Sequence, residues 1–94
     1  DEPGLYRPGK WGIRIENLLV TRKVKNPEEI QFGSYLCMEP ITFCPIDTKL
    51  IDRSLMTEDE IQWLNDYHAL VREKLAPRTQ GAAREWLERN TQPI

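Results

Sequence analysis

Midway along the chain, Thr57-Glu58-Asp59-Glu60 separates two kinds of polypeptide. A threonine followed three residues later by glutamate is a capping box, in which each side chain satisfies a backbone N–H that the first helical turn leaves without a partner. Met56 and Ile61 stand at the positions of a hydrophobic staple, and the acidic first turn complements the helix dipole. Beyond it Ile61, Leu64, His68, Val71 and Leu75 recur at three- and four-residue steps, with Trp63, Tyr67 and Leu70 widening the stripe. The spacing predicts an amphipathic helix of about four or five turns that ends before Pro77. A second, shorter helix is expected over Ala82 to Asn90, burying Ala83, Trp86 and Leu87, with Glu85 and Arg89 as a supporting pair four apart.

Before residue 57 the pattern is extended. Arg7-Pro8-Gly9-Lys10 is a turn signal between Glu2–Tyr6 and Trp11–Thr21, so a β-hairpin is expected. Ile13, Ile15 and Leu19 alternate with Arg14, Glu16, Leu18 and Val20; both faces are partly apolar, which suits a covered sheet. Val24 to Gln31 is polar, interrupted by Pro27, and reads as a surface connection. Phe32 to Ile46 is apolar again, and Pro40 and Pro45 confine it to edge strands or bulges because proline cannot donate to a ladder. Asp47 to Ser54 reads as a loop. The fold class is therefore α/β in the α+β sense, antiparallel strands followed by two helices. The division falls between a strand-rich part, 1–46, and a helical part, 47–94, in one continuous piece rather than two independent domains.

Ninety-four residues allow one small core at most. A net charge of −2, with acids and bases interspersed, provides no field for a nucleic-acid backbone or an anionic membrane. The cluster Arg22, Lys23, Lys25 has no interleaved aromatics and reads as a solvated strand end. No apolar run approaches the ~20 residues needed to span a bilayer. The chain opens on Asp1-Glu2-Pro3-Gly4 without an initiator Met, as a segment of a longer chain would. Cys37 and Cys44 lie in apolar stretches and are too few for a stapling framework; buried, reduced thiols and a cytoplasmic location are expected.

Two acids in the first segment need a physical account. If the hairpin turns about Gly9, facing residues have numbers that sum to eighteen: Leu5 faces Ile13, Gly4 faces Arg14, and Glu2 faces Glu16. Like charges directly opposed destabilise a sheet, so something must compensate. Arg14, on the same face as Glu16, supplies one positive charge, and a bound divalent cation could supply more. The ordinary alternative is that Glu2 is a solvated terminal acid and Glu16 a surface partner of Arg14.

Asp1-Glu2-Pro3-Gly4-Leu5-Tyr6 followed by Trp11-Gly12-Ile13-Arg14-Ile15-Glu16-Asn17 resembles the last two metal-ligand segments of cytosolic-type aminopeptidase P, the Xaa-Pro aminopeptidases. The resemblance continues through Glu39-Pro40-Ile41-Thr42, Pro45-Ile46-Asp47, Trp63-Leu64-Asn65 with Tyr67-His68, and Glu85-Trp86-Leu87 with Thr91-Gln92-Pro93-Ile94, and so covers nearly the whole chain. It implies the C-terminal part of a pita-bread catalytic domain that holds two divalent metals, usually manganese, and hydrolyses the bond before a proline in second position. By position, Glu2 matches the glutamate that binds one metal beside the nucleophilic water and could take its proton. Glu16 matches the glutamate that bridges both metals, and Arg14 a residue that neutralises the surrounding carboxylates. In that family two aspartates and a histidine from earlier in the chain complete the set, and no segment here corresponds to them. The resemblance thus implies that the rest of a parent catalytic domain is a partner of this piece, that the piece alone is inactive, and by family analogy that a homodimer forms. His68, on the apolar stripe, reads as a structural, hydrogen-bonded residue rather than a ligand. The rival reading is a free-standing interaction or dimerisation module that keeps the family's ending without its chemistry.

Overall fold

The computed structural model describes residues 1–25 and 32–94, so most of the surface connection expected over Val24 to Gln31 lies outside the described residues. The chain forms two compact units, Asp1–Thr42 and Phe43–Ile94.

In the first unit, β1 (Gly4–Arg7) and β2 (Trp11–Arg14) form an antiparallel hairpin. Its turn is closed by Lys10 N–H donating to Arg7 O at 2.9 Å, with Gly9 at φ +72. Pro8 supplies the fixed φ of the position before, and Gly9 accepts the left-handed one, the combination of a type II turn. Leu5 pairs with Ile13 and Gly4 with Arg14, the register expected for a turn about Gly9.

The second strand does not continue to Thr21 as its alternation suggests. It stops at Arg14, and a new strand, β3 (Leu19–Lys23), pairs antiparallel with β4 (Leu36–Pro40). The reason is a change of partner: Asn17 N–H still donates to Asp1 O, whereas Leu18 O already accepts from Ile41 N–H. Leu18 N–H donates to the Thr42 hydroxyl at 2.9 Å. Pro40 ends its strand opposite Leu19, where a missing donor is tolerated. Cys37, on β4, is free but exposed, and Cys44 is also free and exposed, so the expectation of buried thiols is corrected. Each sheet has two strands.

The second unit opens with two short 3₁₀ turns where a plain loop is expected, Thr48–Leu50 and Arg53–Leu55. Each is started by an aspartate, Asp47 accepting from Lys49 N–H and Asp52 from Ser54 N–H. Helix α1 (Glu58–Leu75) has the full capping box at Thr57 and Glu60 and gives way to a 3₁₀ turn at Ala76–Arg78, which holds Pro77. Helix α2 spans Gly81–Asn90.

Ile61, Leu64, Tyr67, His68 and Val71 form the buried face of α1. Of the three α2 residues expected inside, only Leu87 is buried; Ala83 and Trp86 are exposed. One narrow face of α2 suffices, because Leu87 alone enters the Tyr67–Val71–Leu87 cluster. The ion pair on α2 is Arg84 with Glu88 at 2.8 Å, rather than Glu85 with Arg89. Phe43 and Ile46 pack against the same cluster, and both lie in the second compact unit.

Candidate metal centre

Hairpin pairing decides whether Glu2 and Glu16 meet. Past the ends of β1 and β2 the ladder continues, with Ile15 N–H donating to Pro3 O at 3.1 Å. Asp1 and Asn17 then exchange both backbone bonds, Asn17 N–H to Asp1 O at 3.0 Å and Asp1 N–H to Asn17 O at 3.1 Å. Paired residues in an antiparallel ladder alternate between bonded and non-bonded types, so the pair just inside, Glu2 with Glu16, is of the non-bonded type, whose side chains approach more closely.

Arg14 lies between them. Its Nη2 is 3.0 Å from Glu16 Oε2 and its Nη1 is 3.7 Å from Glu2 Oε2. All three residues named from the sequence are thus brought together on one face of the hairpin. The side chains are about half exposed or more, at 49% for Arg14, 50% for Glu16 and 66% for Glu2. Each ion pair therefore contributes only about 0.2–1 kcal/mol. That is no more than the cross-strand repulsion it offsets. One guanidinium against two carboxylates leaves a negative charge in excess, which suits a cation.

The donors are carboxylate oxygens, the kind that manganese and magnesium prefer. They are two where such ions take about six. Among the described residues, no group of three or more His, Cys, Asp or Glu side chains comes together that could hold a metal. Two such donors fit a part of a ligand set of this kind and not the whole of it.

His68 lies in the second unit and is held there by its own neighbours. It is fully buried in α1, and its Nε2 accepts from Ile46 N–H at 3.0 Å. Burial, and then the Arg72 charge, hold its pKa below the ordinary value. Sequence reasoning missed what its neighbours do: the Tyr67 hydroxyl accepts from Cys44 N–H at 3.3 Å and donates to Cys44 O at 2.9 Å, and Asn65 Oδ1 accepts from Ile94 N–H at 2.9 Å. The available signal was polar atoms on the packed side of a helix, which must find partners.

A family model described as the C-terminal region of peptidase M24 matches residues 34–94. The whole chain is 50% identical to the probable Xaa-Pro aminopeptidase P of Coprinopsis cinerea, of which it covers 15%. It is 45% identical to aminopeptidase P2 of Arabidopsis thaliana, of which it covers 13%. Its structure is similar to that of an X-prolyl aminopeptidase from Caenorhabditis elegans, a cytosolic enzyme with a di-nuclear active site. The TM-score is 0.84 and the identity 37%, over 99% of this chain and 15% of that one. Glu2, Arg14 and Glu16 precede the stretch matched by the family model but lie within the two full-chain sequence likenesses.

Proposed function

Because this chain belongs to the family of peptidase M24 C-terminal regions, we propose that it is the closing segment of a two-metal aminopeptidase that releases an N-terminal residue preceding proline. The observation that carries this reading is the convergence of Glu2 and Glu16 on Arg14. The supporting likeness is to proteins named Xaa-Pro aminopeptidase P along the whole chain, and to a solved enzyme with a di-nuclear site. In this reading residues 1–46 end the catalytic domain and 47–94 form its C-terminal extension.

Glu2 and Glu16 would hold the metals, two divalent ions for which manganese is the candidate, together with ligands from preceding polypeptide. When bound, the two ions would supply Lewis-acid chemistry: polarisation of the scissile carbonyl and a lowered pKa for water. Glu2 would accept a proton, and its Oε1 supports this role because Arg14 pairs with the other oxygen, Oε2. Arg14 limits the mutual repulsion of the two acids and fixes their orientation, so it positions rather than reacts. In this reading, selectivity for proline in the second position is assigned to other parts of the parent protein. A cytoplasmic location and a homodimer complete the proposal.

The test is made in the full-length protein. Glu16→Gln is expected to lower bound metal measured by elemental analysis. Glu2→Gln is expected to lower kcat on an Xaa-Pro peptide by about 10²–10⁴-fold, the range for loss of a general base. Full metal content and activity in both variants would refute the assignment. Residues 1–94 alone should hydrolyse nothing even with added manganese. If the encoding gene offers no Asp, Asp and His upstream of Asp1, the free-standing interaction or dimerisation module becomes the better reading.

A further inference from the structure

We propose that His68 is a proton-operated catch, whose protonation releases the segment Cys44–Ile46 from α1 while leaving the helical core in place. The segment has no regular structure, and its backbone groups are held by two successive side chains of α1. Ile46 N–H donates to His68 Nε2 at 3.0 Å, and Cys44 is bonded at both its N–H and its O by the Tyr67 hydroxyl. An Nε2 that accepts carries its lone pair there, which places the imidazole proton on Nδ1. A second proton can enter only at Nε2, where it would face the Ile46 N–H, donor against donor. The contact has to break for His68 to become charged.

The surroundings give the charged form no refuge. His68 is 0% exposed, and Nδ1 is buried without a hydrogen-bond partner among the described residues. From α1 the facing charge is Arg72, which repels an imidazolium. The held segment brings the Cys44 thiol, directed at Pro45 O, and next to it Asp47, whose carboxylate is engaged by Lys49 N–H. Helix α2 meets this part of the core through Leu87, which does not ionise. No described carboxylate is paired with the ring. Opening the segment therefore lets the imidazole reach water and recover an ordinary proton affinity.

The experiment is amide hydrogen exchange on the full chain between about pH 7.5 and 4.5, with protection corrected for intrinsic exchange. The expected result is that protection of Cys44 and Ile46 falls by up to about tenfold per pH unit below the ordinary imidazole value near 6.5, and that it lies at least about tenfold below the protection of Val71 at every pH, because the segment opens without the core. His68→Gln, which keeps an acceptor that does not titrate in this range, should remove the dependence. Protection at Ile46 that is indifferent to pH, or that equals the protection of Val71 throughout, overturns the proposal. If His68→Gln does not fold, the wild-type contrast between Ile46 and Val71 decides the matter.

Discussion

At Gly9 the backbone holds φ +72, and a methyl group added there would meet nothing within 4 Å. Gly9→Ala is therefore a pure test of backbone strain, and about 1 kcal/mol of hairpin stability should be lost. Gly12 is the opposite case: its φ is unremarkable, but an added Cβ would sit 2.6 Å from Tyr6 Cδ1. Gly12→Ala should swing the Tyr6 ring into solvent, which NMR reads as loss of ring-current shifts at residue 12, with the turn intact. In the second unit, Val71 is 0% exposed and packs with Tyr67 and Leu87. Val71→Ala removes two buried methyl groups and leaves a cavity, so denaturant unfolding should show a loss of about 2 kcal/mol. A loss below a few tenths would mean that the cluster collapses around the gap.

Among the elements, α1 depends most on its first turn. Glu60 N–H donates to the Thr57 hydroxyl, while Thr57 N–H donates to the Glu60 carboxylate at 2.8 Å. Thr57→Ala should cost about 1 kcal/mol, measured by thermal unfolding followed by far-UV circular dichroism. The Thr57 N–H, and then its hydroxyl, hold the Glu60 pKa below the usual glutamate value. The unfolded chain thus takes up this proton first: the contribution of Glu60 is complete above the ordinary value of 4.5 and is lost as pH falls through the lower folded value. This helix was legible in the sequence because capping and periodicity are local. The hairpin register and the meeting of Glu2 with Glu16 were legible too, since a turn at Gly9 fixes both. The break after Arg14 was not, because residues 15–18 keep alternating while their backbone partner changes from Asp1–Pro3 to Ile41. Nor was the exposure of Trp86 and Cys37, which depends on what packs nearby rather than on either residue. The metal roles of the glutamates rested on resemblance, since two acids fourteen apart carry no such message.

For the molecule as a whole, the distribution of burial sets the strongest expectation. Ile61, Leu64, Tyr67, His68, Val71, Leu87 and Thr91 are buried, all of them in Phe43–Ile94, while every described residue of Asp1–Thr42 is exposed or half-buried. Two-stranded hairpins are marginal in water unless a further strand or a helix covers one face. Leu5, Trp11, Ile13 and Leu18 are 41–63% exposed, so the first unit presents apolar surface of the kind that a larger sheet would cover. If these residues end a larger catalytic domain, their order should depend on the polypeptide that completes it. In a 94-residue chain, Leu5 and Ile13 amides should exchange almost as fast as in an unfolded peptide, while Leu64 and Val71 remain protected. In the full-length protein, protection at Leu5 and Ile13 should rise by about 100-fold or more, because their opening then requires unfolding of a covered sheet. Strong protection in the short chain would show that the hairpin stabilises itself, and the case for a free-standing module would gain what the case for a severed active site lost.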